Sequence, residues 1–181
     1  LHFKMMIFDG QNVVEFSKAN YSPEEFVPIQ ANVNYSDEAI FFTSDTSLTN
    51  SFRRRFDDRW VDTVVYRNYS PTTAWTPARR YPQYAIDPSM NFPPTQDFLV
   101  RTIGRLNAEP QKIDAIVFRV TEHTPADAMI AAVARHVPAR LISEPSEYRN
   151  PARLWDAVHI DRMYMGGVQI KMRQHEGLTH E

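Results

Sequence analysis

The sequence predicts an α/β protein with a mixed, mainly parallel sheet sandwiched by helices, built as two incomplete halves. Two observations predict this fold class. In the second half, apolar runs of strand length alternate with helical stripes in the order β-α-β-α-β, which is typical of a parallel sheet covered by helices. The first half carries a strand pair, a further strand and one helix. With 181 residues, 43% of them hydrophobic, the chain is long enough to bury a core, as one large domain or as two smaller ones.

The first half opens with two short apolar runs, at 3–8 and 12–16. Asp9-Gly10-Gln11 separates them, so we predict a strand, a tight turn and a second strand. A third strand is predicted at 38–43. It leads to a helix whose apolar residues recur every four positions and should pack on the sheet: Leu48, Phe52, Phe56 and Trp60.

The second half is more regular. Its predicted elements are, in order, a helix at 97–108, a strand at 113–120, a helix that begins at 124, a strand centred on 141, a helix that begins after 150 and a strand at 168–173. The helix that begins at 124 should turn four residues inward: Ala128, Met129, Ala132 and Val133. The helix after 150 bears Leu154, Val158 and Met165 and ends at Gly166-Gly167.

The stretch between the two halves is rich in proline and shows no convincing period. We therefore predict a connecting segment at 67–96 between two domains, at 1–66 and 97–181. The chain begins at Leu1 on an apolar strand and ends without a cap or turn, so we expect a fragment of a longer protein. Such a piece would expose sheet edges and should be inactive by itself.

Composition removes several classes of function. The formal net charge of −2 gives no general attraction to nucleic acid or to an anionic membrane, so an anionic ligand needs a local site. The absence of cysteine excludes disulfides, thiol nucleophiles and cysteine-ligated zinc within these residues. No apolar run approaches the roughly 20 residues that span a bilayer, so no integral membrane segment is predicted. Neither a Gly-rich phosphate loop nor a Gly-x-Ser-x-Gly elbow is present.

The first candidate site is His2-Phe3-Lys4, followed by Asp9. Residues two apart on a strand point to the same face, so His2 and Lys4 should emerge side by side. The ammonium stabilises the charge of a phosphoryl group, and a neutral imidazole can attack phosphorus or transfer a proton. The same spacing also occurs on polar edge strands with an incidental histidine, and spacing by itself favours that interpretation.

The second candidate is the loop that holds His175, Glu176 and His180. It superficially suggests a metal site, but its histidines are five residues apart, whereas a zinc-binding helix needs four, and no third ligand is evident. We therefore predict no metal site and interpret the segment as a polar loop at a strand end, where ligands bind in α/β sheets.

A basic run on the first predicted helix comprises Arg53, Arg54, Arg55 and Arg59. Such a run could contact nucleic acid. A solvated helix face is the interpretation that we favour, because the chain has no broad basic surface.

Taken together, these features resemble the phospholipase D superfamily, whose signature is His-x-Lys, four residues and Asp, followed by a Gly-Ser-x-Asn-like segment. His2-Phe3-Lys4 with Asp9 fits the first element, and Ser17-Lys18-Ala19-Asn20 resembles the second. Asp37-Glu38 is similar to an acidic strand start in family members. His180-Glu181 occupies the first two positions of a second His-x-Lys motif. The resemblance implies that 1–66 and 97–181 are parts of two phospholipase D-like domains.

The resemblance also implies residue roles. His2 would attack phosphorus to form a phosphohistidine, and His180 would protonate the leaving alcohol and then activate water. Lys4 and Asn20, with Ser17, would hold the nonbridging oxygens. Either member of the acidic pair, Asp37 or Glu38, would orient the His2 imidazole, and Asp9 would be a turn residue that braces Lys4 or the backbone.

The implied reaction is hydrolysis of a phosphodiester bond, without metal or organic cofactor. A phospholipid substrate is favoured over nucleic acid because no broad basic surface is evident. The resemblance implies pseudo-dimeric halves within one chain, and hence a monomer at full length. Two alternatives stay open: a phosphatidyl transferase, and a noncatalytic phospholipase D-like binding module in which the motif is residual.

Overall fold

The computed structural model describes residues 4–22, 25, 35–67, 84–174 and 177–179. These residues form a mixed α/β structure, as the sequence predicts. They divide into two compact units, the first drawn from 3–17 and 40–91 and the second from 18–39 and 92–181. The predicted division into phospholipase D-like domains stays a prediction, because much of the predicted connecting segment lies outside the described residues.

The elements are as follows. The strands are β1 (Lys4–Phe8), β2 (Val13–Ser17), β3 (Tyr35–Asp37), β4 (Ile40–Thr43), β5 (Ile113–Val117), β6 (Ala139–Ser143), β7 (Gln169–Met172) and β8 (Gly177–Thr179). The α-helices are α1 (Thr46–Trp60), α2 (Phe98–Ala108), α3 (His123–Ala134), α4 (Pro145–Tyr148) and α5 (Leu154–Met165), and short 3-10 turns lie at Asp9–Gln11 and Pro151–Arg153.

The first unit is built on an antiparallel sheet in the order β1-β2-β4. The predicted strand pair is confirmed: β1 and β2 are antiparallel and flank the 3-10 turn, which Asn12 closes in the left-handed conformation with φ 52°. The third strand begins at Ile40, two residues later than predicted. The sheet of this unit is therefore antiparallel, and the predicted parallel arrangement is confined to the second unit.

Helix α1 packs on one face of this sheet through only part of its predicted stripe. Phe52 is buried, with its ring centroid 4.7 Å from that of Phe16. Phe56 and Trp60 are instead exposed and stack on each other. A helix of 15 residues is about 22 Å long, whereas strands of four or five residues span roughly 13–17 Å, so the end of the helix extends past the sheet.

The second unit confirms the predicted β-α-β-α-β order. Strands β5, β6 and β7 form a parallel sheet in sequence order, and α3 and α5 provide the crossover connections. The core gathers alternate residues of the strands with the inward residues of the two helices: Ile113, Ala139, Leu141, Ala126, Met129, Ala132, Ile160 and Met163. This sheet therefore has one face covered by helices.

Helix α5 turns a different face inward than its sequence suggests. Leu154, Val158 and Met165, the apolar residues that we assigned to this helix, are all exposed. The inward face carries two polar residues, Asp156 and His159, beside Ile160 and Met163. Because half of the buried face is polar, the apolar pattern points to the wrong side.

Two three-residue strands complete the second unit. β3 pairs in parallel with β8, so that Asp37 is the partner of Thr179.

Among the residues that the structure describes, none of the helices has the length and apolar character that crossing a bilayer requires.

Candidate functional site

The structure describes the side chains of five of the eight predicted site residues. Lys4, Asp9 and Ser17 lie in the first unit, and Asn20 and Glu38 lie in the second. Asp37 is described through its backbone. His2 and His180 lie outside the described residues, as do His175 and Glu176 of the loop considered as a metal site.

Lys4 and Ser17 are brought together at the end of the β1–β2 pair that is far from the turn. They are direct partners across the two antiparallel strands, and Ile40 of β4 is the next residue in the same row. Directly opposed residues project from the same face with Cβ atoms about 4.5–5.5 Å apart. Lys4 is partly exposed and Ser17 is only 8% exposed, so the ammonium is the more accessible donor for a phosphate oxygen.

This face of the sheet is otherwise mostly apolar. Met6, Phe8, Ile40 and Phe42 alternate with the inward residues of their strands and are 42%, 37%, 39% and 68% exposed, respectively. Glu15, which lies between Met6 and Phe42 in the next row, is buried. Lys4 and Glu15 give this face offsetting formal charges, so its surroundings suit a single phosphate better than a polyanion.

Asp9 lies at the other end of β1. It follows the last residue of the strand, so its Cα is roughly 16 Å from that of Lys4 along the strand. Its Oδ1 accepts a hydrogen bond from Arg53 Nε at 2.9 Å. Asp9 therefore contacts helix α1 at the end of β1 opposite to Lys4.

The same arginine binds two further side chains. Arg53 Nη1 donates to Asn12 Oδ1 at 3.1 Å and to Asn50 Oδ1 at 2.9 Å. Asn12 Nδ2 donates in turn to the carbonyl oxygen of Ser44 at 3.1 Å. One guanidinium thus links the β1–β2 turn to the start of α1.

The basic run on α1 is not the solvated face that we predicted. Arg53 and Arg55 are 8% and 9% exposed, and only Arg54 and Arg59 are partly open to solvent. Burial, and then the neighbouring charge of Arg59, lower the pKa of the Arg55 guanidinium. Arg53 is buried because Asp9 and the asparagine oxygens satisfy its donors, and a count of charges along a helix does not identify such partners.

The predicted residues of the second unit have different surroundings. Asn20 is exposed, and its Nδ2 donates to Glu25 Oε1 at 3.4 Å. Glu38 is partly buried directly after β3. The pairing of β3 with β8 sets the backbone of Asp37 beside that of Thr179, the residue that precedes His180. The described pairing therefore ends with Asp37 opposite the residue that precedes the second motif in the sequence.

Sequence reasoning missed a polar group near the carboxyl ends of the parallel strands. The Asp156 side chain is fully buried, and its Oδ1 accepts a hydrogen bond from the Val120 backbone N–H at 2.5 Å. Within the described part of the chain its Oδ2 has no hydrogen-bond partner. Burial raises the pKa of Asp156, and the Val120 hydrogen bond and then His159 oppose that shift. This group lies where α/β sheets commonly bind ligands.

Two further sets of contacts involve α5 and the segment that precedes it. His159 is also buried, and Trp155 stacks on it with ring centroids 5.9 Å apart. Glu147 Oε2 forms ion pairs with Arg153 Nε at 2.9 Å and with Arg119 Nη1 at 3.6 Å. A signal was available in the sequence, because four residues of α5 recur with helical spacing on one face: Asp156, His159, Ile160 and Met163.

Comparison with known proteins identifies no relative. No family model, no curated protein and no solved structure matches the chain. Its function must therefore be argued from its own residues.

The described ranges also bear on metal binding. Within them, no three histidine, aspartate or glutamate side chains are grouped as ligands of a metal ion.

What the Lys4–Ser17 pair can do chemically is bind and stabilise a phosphate oxygen, through one positive charge and one hydroxyl at a strand end.

Proposed function

We propose that this chain belongs to a phosphodiesterase of the phospholipase D type, with the α/β sandwich architecture of that superfamily in both halves. The observation that carries the proposal is the alignment of Lys4 with Ser17 across β1 and β2. It supports a phosphate site because the lysine of the first signature motif and the serine that begins the second signature segment project from one face. For a strand that continues to His2, the His2-Phe3-Lys4 spacing predicts an imidazole on the same face.

The proposed reaction has two displacements. In the first, a ring nitrogen of His2 forms a bond to phosphorus while the bond from phosphorus to the leaving alcohol breaks, and His180 gives that oxygen a proton. In the second, His180 takes a proton from water, the water oxygen bonds to phosphorus, and the bond to His2 breaks. The products are an alcohol and a phosphomonoester, and free His2 is regenerated.

The remaining residues stabilise charge and orientation. Lys4 and Asn20, with the Ser17 hydroxyl, bind the nonbridging oxygens, where negative charge is held in the transition state. Asp37 or Glu38 accepts the second N–H of the His2 imidazole and fixes its tautomer. The pairing of β3 with β8 supports a shared site for the acidic residues and His180, because it joins Asp37 to the residue before that histidine.

A phospholipid is the substrate that we favour, with nucleic acid as the second possibility. The face that carries Lys4 exposes Met6, Phe8, Ile40 and Phe42, and its formal charges offset one another. An apolar face beside one ammonium suits a ligand with a single phosphate and apolar chains, whereas a nucleic acid needs several cations along its backbone. Use of an alcohol instead of water in the second displacement would make the protein a phosphatidyl transferase.

The test is turnover by the protein expressed from the complete coding sequence that contains this chain. Bis(p-nitrophenyl) phosphate reports phosphodiester cleavage without any choice of natural substrate. His2→Ala should abolish turnover, and Lys4→Ala should lower kcat by about 100-fold, the usual effect of removing one donor from developing charge. Lys112→Ala is the matched control, because this partly exposed lysine pairs with Asp114 in the second unit.

Two results would overturn the proposal. Absence of turnover by the natural protein on phosphodiester, phospholipid and DNA substrates would favour the noncatalytic binding module. Equal turnover by the His2→Ala variant would remove the phosphohistidine. Comparison of phosphatidylcholine vesicles with single-stranded DNA then distinguishes the two substrate classes.

A further inference from the structure

Arg53 donates hydrogen bonds to residues at both ends of the β1–β2 turn. Asp9 begins the turn and Asn12 closes it in the left-handed conformation, and both side chains accept hydrogen bonds from the same guanidinium. Asn50 of α1 accepts a third hydrogen bond. Arg53 is only 8% exposed, so water competes little for these donors.

The turn matters because it sets which residues of the two strands face each other. In a hairpin, register follows the length and geometry of the turn, and a slip of one residue moves every side chain of a strand to the other face. In the observed register Lys4 faces Ser17, whereas Met5 projects from the opposite face with Phe16, which packs on Phe52. A slip would move the Lys4 ammonium from the open face to the face covered by α1.

We infer that Arg53 is a positioning residue of the proposed phosphate site. By holding Asp9 and Asn12 it locks the register that sets Lys4 opposite Ser17, and it does so from the far end of β1 without contact with substrate. The effect on turnover rests on the proposed function. The effect on strand register does not.

Arginine is suited to this position for a geometric reason. Its planar guanidinium directs several donors in fixed directions, here Nε to Asp9 and Nη1 to Asn12 and Asn50. A lysine carries the same charge on a single nitrogen and cannot keep all three contacts. Arg53→Lys should therefore retain part of the effect and Arg53→Ala none.

The experiment measures register and turnover on the same variants of the full protein. Register is read by a cysteine pair, Phe8→Cys with Val13→Cys, because these residues are direct partners and both are at least partly accessible. Opposed Cα atoms lie about 4.5–5.5 Å apart, within the range of roughly 4.4–6.8 Å that a disulfide spans. The 181 residues contain no other cysteine.

We expect the rate of disulfide formation to be highest with Arg53, intermediate with Arg53→Lys and lowest with Arg53→Ala. The value of kcat on bis(p-nitrophenyl) phosphate, measured without the cysteine pair, should fall in the same order, by about 10- to 100-fold for the alanine variant, with a smaller change in KM. Arg140→Ala breaks an Arg–Asp pair of the second unit, with Asp114, and should change neither quantity.

Other outcomes distinguish failure of the inference about register from failure of the proposed function. An Arg53→Ala variant that keeps its disulfide rate overturns the inference, whether or not its turnover falls. If the natural protein has no turnover but Arg53→Ala still loses the disulfide, the proposed function fails and the register effect stands. Should Arg53→Ala fail to fold, Asp9→Asn decides the matter, because it removes the charge of one contact and keeps the shape. Unchanged disulfide rate and kcat in that variant would overturn the inference.

Discussion

Two phenylalanines on helix α1 provide a stringent test of the packing described above. Phe52 and Phe56 are one turn apart and belong to the same four-residue pattern, yet Phe52 is 2% exposed and Phe56 is 39% exposed. Replacing a buried phenylalanine with alanine costs about 3–5 kcal/mol, because transfer free energy is lost and a cavity remains. Phe16, which contacts Phe52, also stacks on the half-exposed Phe41, so the site can relax toward solvent.

We therefore expect Phe52→Ala to lower the free energy of unfolding by about 3 kcal/mol, at the lower end of that range. Phe56→Ala leaves no enclosed cavity and loses only part of the transfer term, so it should cost about 1 kcal/mol. The difference of about 2 kcal/mol corresponds to roughly a 30-fold change in the unfolding constant.

The assay is equilibrium urea unfolding of the full protein, followed by far-ultraviolet circular dichroism. Hydrogen exchange of the β2 amides gives a second readout confined to the first unit. Equal costs for the two variants, or a larger cost for Phe56→Ala, would refute the observed placement of α1 on the sheet.

Two further predictions concern the second unit. Burial raises the pKa of Asp156 above its ordinary 3.8, so the folded state holds that proton more tightly than the unfolded state does. The stability that this group contributes is complete below the unfolded pKa and is lost as pH rises through the folded pKa. As pH rises above the ordinary value of 3.8, the urea midpoint of Asp156→Asn should therefore rise relative to that of the natural protein. A difference that stays constant with pH would contradict this. Gly167 has φ +90°, and an added Cβ would lie 3.0 Å from Val133, whereas a Cβ on Gly104 in α2 would meet nothing within 4 Å. Gly167→Ala should lower the free energy of unfolding by about 1–2 kcal/mol, and Gly104→Ala should raise it by about 0.5–1 kcal/mol, as measured by thermal unfolding. Equal effects would show that backbone conformation does not distinguish the two sites.

Elements that carry a local period were predictable from the sequence. The β1–β2 pair follows from two apolar runs around Asp9-Gly10-Gln11, and the β-α-β-α-β order follows from alternating strand and helix patterns. The pairing of β3 with β8 was not predictable. It joins three residues at 35–37 with three at 177–179, and segments that short show no period while their partners are distant in the sequence.

The buried polar groups show a second limit. Asp156 and His159 occupy the inward face of α5, so a pattern based on apolar residues selects the exposed Leu154 and Met165 instead. Arg53 is buried for a related reason: its partners come from a turn more than 40 positions earlier in the chain. Composition identifies a charge, but only tertiary contacts decide whether that charge is solvated.

The candidate site shows the same difference between what a local pattern predicts and what tertiary contacts decide. Strand alternation alone predicts that His2 and Lys4 share a face. That Ser17 lies opposite Lys4 depends on the turn, whose length and left-handed Asn12 set the register. The sequence therefore predicts the chemical groups, and the turn decides which of them meet.

The position of Asp9 bears on the role that this residue would have in the proposed site. A five-residue strand separates Asp9 from the end of β1 that carries Lys4, so no single phosphate contacts both side chains. If Asp9 and Arg53 maintain the register, the two side chains act as a pair. The chemistry would then depend on the histidine and the lysine, and Asp9 would contribute through its contact with Arg53.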